Sequence, residues 1–397
     1  MTEDPAPSRR TRHRGSPQTY CMVIPVLPQY RDNFLTELTA LAPGRILWLA
    51  GTEHFDPSVR AGVAPDLYRQ TDNLFLMGRR LLVQRGTFRP ATSAGVTVVD
   101  LNPRSLTAWS ILLVRSALRR RTLTWGHLYP RAGRQARTSG LRAVMRRLGD
   151  GMITYTVRER DELLAEEPGT DVWVAPNALY PDAALAGQAP PGARTTILYV
   201  GRLETPKRPE LLVAGFAAAL PRLPTTARLV MVGEGTVRAA LEEQAVRLGV
   251  GSRVDFVGHC TDLPALRTLY ARAAVSVSPG YVGLALTQSL GFGVPMVVAD
   301  DEPHAPEVEL ATEQAVTWFR ARSVTDLADR LVEAFADPPD RAHSDHLIAL
   351  VREHYTADGM ARGFLAALEN RPADGTAALS RPVEPGRRQR SDRPGRQ

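Results

Sequence analysis

The 397 residues are too many for one ordinary core and suit two α/β domains of roughly 150–190 residues each. Hydrophobic residues make up 44% of the chain and aromatic residues only 6%, a balance that favours helices packed on a buried aliphatic sheet over an all-β sandwich. Cys21 and Cys260 stand apart from each other and from any histidine at metal-binding spacing, which excludes a disulfide framework and a zinc site, and much of the net charge of +7 lies in two Arg-rich ends.

Residues 1–18 are polar and rich in Pro and Arg, with no apolar run of signal-peptide length. They read as a disordered tail, as do residues 371–397, because neither end can bury enough apolar surface to offset its ordering entropy. No segment offers about 18 uninterrupted apolar residues, so neither secretion by that route nor a membrane span is expected, and the chain is placed in the cytoplasm. From residue 20 onward, short aliphatic runs alternate with helical stretches, the pattern of a parallel sheet with crossover helices. Strands are predicted at Tyr20–Val26, Arg45–Ala50, Gly95–Asp100, Thr122–Trp125, Met152–Tyr155 and Asp171–Ala175, with helical spacing at Leu141–Leu148 and Val157–Glu166.

The passage Pro181–Ala193, rich in Pro, Gly and Ala, breaks this pattern. It separates a first domain, 19–180, from a second, 195–355, with 181–194 as linker. The second series has predicted strands at Thr196–Val200, Arg228–Val232, Arg253–Val257, Val275–Ser278 and Met296–Ala299. Val237, Ala240, Leu241, Ala245 and Leu248 fall at helical spacing between them, and Ser323 to Asp326 reads as a capping box opening another helix. A last helix, 356–370, is able to pack back on the first domain. The fold class is α/β, two tandem Rossmann-like domains facing each other across a cleft, with function expected in the loops that follow the strands.

The clearest such loop runs from Gly201 through Arg202 to Lys207. Gly201 lets the backbone pass close to a ligand, and the two cations are spaced to converge on one anion, for which a diphosphate is the natural guest. Gly233 and Gly235 follow the next strand, at a place where backbone comes near phosphate or near the neighbouring loop. Val254 to Gly258, with Phe256, ends a strand in a tight turn suited to floor a nucleotide base. Near Gly283 a further helix begins, aiming free N–H groups at the cleft, an arrangement that suits phosphate, and Pro306-Glu307 opens the next helix.

Taken in order, these segments resemble the GT-B glycosyltransferases of the retaining group called family 4, or glycosyltransferase group 1. The resemblance covers residues 197 to 335. It implies that Arg202 and Lys207 bind the donor diphosphate and act in catalysis, that the backbone at Gly283 and Leu284 caps it, and that Glu307 lies near the ribose or sugar. Where most relatives carry two glutamates eight positions apart, this chain has Gly280 and Gln288; the amide of Gln288 is still able to bond a ribose hydroxyl, without the strength of a carboxylate. Asp300, Asp301 and Glu302 lack the spacing of a metal-binding pair and read as a solvated loop, so no metal site and no cofactor are expected beyond a UDP- or GDP-linked sugar as co-substrate.

In the first domain, Trp125-Gly126-His127 follows a predicted strand, which aims His127 into the cleft as a site residue. Members of the family often show a similar segment, then stretches like Asp150 to Tyr155 and Pro176-Asn177-Ala178. Ten arginines between Arg115 and Arg147 make that stretch strongly basic. On a helix, Leu141, Val144, Met145 and Leu148 form a narrow apolar face compatible with an anionic bilayer, or with ordinary packing on the domain's own sheet. The partners implied are a nucleotide-sugar donor and a glycan or lipid-linked acceptor, with peripheral contact at the inner face of the membrane. Rival readings are a sugar-nucleotide epimerase or phosphorylase on the same scaffold, and an inactive homologue that binds glycans or a partner protein. Charge alone favours nucleic acid, and no recognition motif accompanies it.

Overall fold

The computed structural model describes residues 19–56, 59–130, 133–187 and 192–372. The predicted tail 1–18, and all of 371–397 beyond Pro372, lie outside the described residues. Arg371 does not begin a tail: its carbonyl accepts the Trp173 indole N–H at 2.7 Å and its N–H bonds the Ala366 carbonyl at 2.9 Å.

The first sheet has seven strands, β1 (Tyr20–Val26), β2 (Ile46–Gly51), β3 (Arg69–Gln70), β6 (Val96–Asp100), β7 (Thr122–Trp125), β8 (Met152–Thr154) and β9 (Val172–Val174), in the order β3-β2-β1-β6-β7-β8-β9. Every pair in it is parallel. A two-stranded antiparallel hairpin, β4 (Asp72–Leu76) and β5 (Leu81–Arg85), is inserted between β3 and β6. The second sheet is also all parallel: β10 (Thr196–Val200), β11 (Arg228–Val232), β12 (Val254–Gly258), β13 (Ala273–Ser278), β14 (Met296–Ala299) and β15 (Val316–Phe319), ordered β12-β11-β10-β13-β14-β15.

All seven residues of β1 are buried, as a central parallel strand covered on both faces requires. Alternation divides them between two layers. Tyr20, Met22 and Ile24 join a cluster with Phe34, Trp48, Trp125 and Phe364, whereas Cys21 and Val23 join one with Leu49, Val99, Ile111 and Met145. Phe364 comes from the helix Ala357–Glu369, which returns to the first domain after the second is complete; its ring packs 5.0 Å from Trp125 and 5.4 Å from Phe34. Removing a fully buried Phe costs about 3–5 kcal/mol, so this return is a strong tie between the chain's end and its first sheet.

In each sheet the strand order reverses beside the first strand, between β1 and β6 and between β10 and β13. Ligands of open α/β sheets bind outside the carboxyl ends at such switch points. Within the 181–194 passage, Asp182–Ala184 forms a 3-10 turn and Leu185 is buried against Leu290 and Ile348. Among the described residues no helix is long and apolar enough to cross a membrane.

The basic stretch 115–147 is less of a surface than its sequence suggests. Arg115 is wholly buried, donating to the carbonyls of Ala91, Ala94 and Arg121 and to the Thr122 hydroxyl. In the helix Ser139–Leu148, Arg146 is buried and bonds Glu167, and Arg142 donates to the His127 carbonyl at 2.8 Å. Met145 is buried, yet Leu141 and Val144 remain 48% and 47% exposed.

Candidate active site

Two loops of the second domain meet at its carboxyl edge. One leaves β10 at Gly201 and passes Arg202 and Lys207 before the helix Pro209–Ala219; the other leaves β13 and passes Gly280 to Gly283, which precedes the helix Leu284–Gly291. Gly280 lets them touch, because a Cβ there would lie 2.8 Å from the Pro206 carbonyl oxygen and 2.9 Å from the Lys207 carbonyl carbon. A glutamate has no room at this position while the loops stay where they are.

Lys207 secures the junction. Its Nζ donates to the Tyr281 carbonyl at 2.8 Å and lies 4.5 Å from the centre of the Tyr281 ring. Of the 49 Lys and Arg residues in the chain it is the single lysine. A compact ammonium with rotatable donors suits this place between a carbonyl and a ring face better than a planar guanidinium. Arg202 reaches towards the first domain: its Nη1 is 4.0 Å from Oδ2 of Asp56, with both side chains about half exposed.

The glycines serve the crossing of loops. A Cβ on Gly233 would collide with the Gly201 carbonyl, and one on Gly235 with the Leu203 carbonyl, so their absent side chains let the loop after β11 lie over the loop after β10. Gly233 N–H in turn bonds the Gly258 carbonyl at 2.8 Å, and Gly258 itself has φ +86°, which favours glycine. Phe256, expected near a base, packs against the aliphatic core of the second domain. Leu284 opens its helix, and Gln288 one turn on donates its amide to the Tyr180 hydroxyl at 3.0 Å. Glu307 stands in a 3-10 turn, Pro306–Leu310, and not at the start of an α-helix. It is 1% exposed and accepts the Asn177 amide on Oε1 at 2.6 Å, while Oε2 is buried without a hydrogen-bond partner.

Two cavities open between the domains. One, of about 340 Å³, is lined by His127, Thr156, Arg158 and Glu159 on the first domain and by Tyr281, His304 and Pro306 on the second. The other, of about 420 Å³, has Gln29, Tyr30 and Asn33 on one side and His259, Cys260 and Gln288 on the other, with Tyr180 between. Both are of ligand size.

His127 sits at the carboxyl end of β7, its Nδ1 3.3 Å from Glu159 and its ring 4.6 Å from that of Tyr155. Burial pushes its pKa down, but the charge and hydrogen bond of Glu159, with Glu307 behind, outweigh that and raise it above the ordinary 6.5. Asp100, the last residue of β6, is pushed up to about 6 by burial, against the opposing pull of Arg142, an Asn102 hydrogen bond and His127. Two of the three carboxylates expected in a solvated loop are engaged: Asp300 accepts the Ala321 N–H at 2.8 Å, and the partly buried Glu302 pairs with Arg208 at 2.7 Å.

Residues 184–346 match the family model described as Glycosyl transferases group 1. Over 106 residues the chain is 38% identical to a GDP-mannose-dependent alpha-(1-6)-phosphatidylinositol dimannoside mannosyltransferase of Mycobacterium tuberculosis, a stretch covering 26% of each protein. Over 227 residues it is 28% identical to a D-inositol 3-phosphate glycosyltransferase of Nocardia farcinica, covering 53% of this chain and 49% of that one. The aligned parts thus span from about a quarter to half of these relatives. The fold as a whole, two Rossmann-like halves, is that of the Anabaena protein HepE in complex with UDP: TM-score 0.65 at 14% identity, covering 89% of this chain and 100% of that one.

The second domain meets residues of the first half that the sequence reading passed over. Glu159 orients His127 and also accepts the N–H groups of Leu128 at 2.9 Å and Tyr155 at 3.2 Å. Its signal was present: Thr156 caps the helix Val157–Glu166, bonding the Glu159 N–H at 3.1 Å, and Thr-x-x-Glu is a helix-start pattern. Glu309 is buried, accepting the Tyr355 hydroxyl at 2.6 Å and the Arg158 N–H of the first domain at 3.2 Å. No local pattern marks Glu309, Tyr180 or His304, whose roles depend on which distant loop faces them.

Proposed function

We propose that the protein transfers a sugar from a nucleotide diphosphate sugar, UDP- or GDP-linked, to a glycan or lipid-linked acceptor, with retention of anomeric configuration and without a metal ion. The observation that carries this reading is the junction of Lys207 with the loop that starts the helix Leu284–Gly291. An ammonium beside a helix N-terminus is a ready site for a diphosphate, since the free N–H groups and the positive dipole end both favour an anion.

On this reading Lys207, the Gly283 and Leu284 backbone and Arg202, drawn from Asp56, offset the charge that develops on the leaving diphosphate. The leaving phosphate takes the acceptor's proton on the same face of the sugar. His127, held by Glu159 at the rim of the smaller cavity, orients the acceptor or the transferred sugar from the opposite domain. The engagement of Asp300 and Glu302 with protein partners supports a charge clamp made without a metal ion. The half-exposed Leu141 and Val144 support peripheral contact with an anionic membrane if the acceptor is lipid-linked.

Acylation by an amine-selective reagent tests the donor site directly, because Lys207 is the single lysine. UDP or GDP is expected to slow modification of Lys207 several-fold. Equal rates with and without both nucleotides would remove the donor from this loop. Protection by nucleotide, without transfer of labelled sugar to any of a panel of glycan and lipid acceptors, would favour the inactive-homologue reading supported by Gly280 and Gln288.

A further inference from the structure

The turn 280–283 has a second staple besides Lys207, and it is a histidine. Val282, fully buried, has the peptides on both sides of it engaged by the segment after β14: its N–H donates to Nδ1 of His304 at 3.1 Å, and its carbonyl accepts the Ala305 N–H at 2.9 Å. The other ring nitrogen of His304, Nε2, is 2.8 Å from the Ala299 carbonyl at the end of β14. A carbonyl only accepts, so Nε2 carries the hydrogen; the Val282 N–H only donates, so Nδ1 does not. The bonds define a neutral ring with one tautomer. Ala305 also touches the start of the helix, since a Cβ on Gly283 would lie 3.3 Å from the Ala305 Cβ.

We propose that neutral His304 is a positioning residue of the donor site, holding the Tyr281–Val282 peptide so that the helix start faces the diphosphate, and that a second ring proton releases this turn and weakens donor binding in acid. The inference rests on the donor-site reading above. A proton on Nδ1 would face the Val282 N–H, leaving a buried donor without its acceptor.

The surroundings set where this happens. Burial lowers the His304 pKa from 6.5, the Ala299 hydrogen bond and the nearby Glu302 and Asp300 work against that, and Lys207 adds to it; the net direction is downward. The Trp318 ring of β15 stands 5.9 Å away, and His127, Arg158, Glu159 and Glu162 face the ring's cavity from the first domain. The turn is therefore held at neutral pH and released below it.

The test is calorimetric titration of the full chain with UDP and with GDP at pH 7.5 and 5.5, for the wild type, His304→Asn and His304→Phe. Asn keeps an acceptor for the Val282 N–H and cannot titrate; Phe keeps the ring shape and removes the acceptor. Between the two pH values the wild type should lose a few-fold more affinity than His304→Asn, less than tenfold because the ring's pKa lies below 6.5. His304→Asn should bind like the wild type at pH 7.5, and His304→Phe about tenfold more weakly at both values. Protonation of the nucleotide is common to all three proteins and cancels in the comparison. Equal acid loss in the wild type and His304→Asn overturns the inference while leaving the donor site intact. Absence of binding of either nucleotide by the wild type at pH 7.5 overturns the donor-site reading and this one with it. Nitrogen-15 NMR of the wild-type ring gives a measure independent of variant folding: a ring protonated at Nδ1 and not at Nε2 at pH 7.5 overturns the staple.

Discussion

The side-chain amide of Asn177 donates to Glu307 across 2.6 Å, from the first domain to the second, with both residues buried. Two residues later Glu309 receives the N–H of Arg158 at the start of a first-domain helix. The 3-10 turn Pro306–Leu310 thus presents two carboxylates to the opposite domain, one to an amide and one to a helix N-terminus, which favours negative charge. Asn177→Ala would leave the Glu307 carboxylate buried without this donor. A loss of about 2–4 kcal/mol is expected, read as a lowered thermal midpoint. An unchanged midpoint would show that water or movement of the turn replaces the bond.

Glu309 gives the protein a pH dependence of definite sign. Burial pushes its pKa from 4.5 to about 7, although hydrogen bonds from Tyr355 and from the Arg158 and Val157 backbone act in the other direction. The folded state binds this proton more tightly than the unfolded chain. Its contribution is therefore full below pH 4.5 and is lost as pH rises through 7, a swing on the order of 3 kcal/mol. Glu309→Gln keeps the acceptor and cannot ionise, so the variant should gain stability relative to wild type on going from pH 5 to pH 8. Parallel melting curves across that range would count against the assignment.

Lys207→Arg should behave like Lys207→Ala. A guanidinium keeps the charge but does not reproduce the ammonium's fit between the Tyr281 carbonyl and ring. Both variants, and Arg202→Ala, are expected to lower kcat/KM at least about tenfold, or about 1.4 kcal/mol of transition-state stabilisation. Steady-state kinetics with the donor found by nucleotide-sugar screening decides the matter; full activity of Lys207→Arg would show that charge alone suffices.

Restoring a glutamate at position 280 should harm the site. Even Gly280→Ala places a Cβ within 3.0 Å of Pro206 and Lys207 backbone atoms, which must then part. An overpacking cost of about 1–3 kcal/mol is expected for the Ala variant, with weaker UDP and GDP binding. Tighter nucleotide binding by Gly280→Glu would show that the loops separate readily and that the carboxylate was merely missing.

Sequence patterning located the parallel strands because a buried strand needs an unbroken aliphatic run, and Tyr20–Val26, Thr122–Trp125, Thr196–Val200, Arg228–Val232 and Met296–Ala299 coincide with their predicted bounds. It missed the hairpin Asp72–Arg85, whose strands are only partly buried and carry Asp, Asn and Gln among their apolar residues. It also missed β15, a four-residue edge strand with an exposed Thr317. Arg115 shows the same limit in reverse: counted as surface charge from its neighbours, it is buried among carbonyls that belong to a separate helix and strand.

The chain's own text determined the two sheets, the positions of the loops that follow their strands and the presence of cations and glycines there, because hydrophobic period and backbone permissiveness are local properties. Only the folded molecule decided which of those groups meet. Lys207 joins Tyr281, Arg202 lies near Asp56, Glu307 accepts the Asn177 amide and His304 holds Val282, in each case because packing of the sheets and domains brings together residues that no spacing along the chain relates.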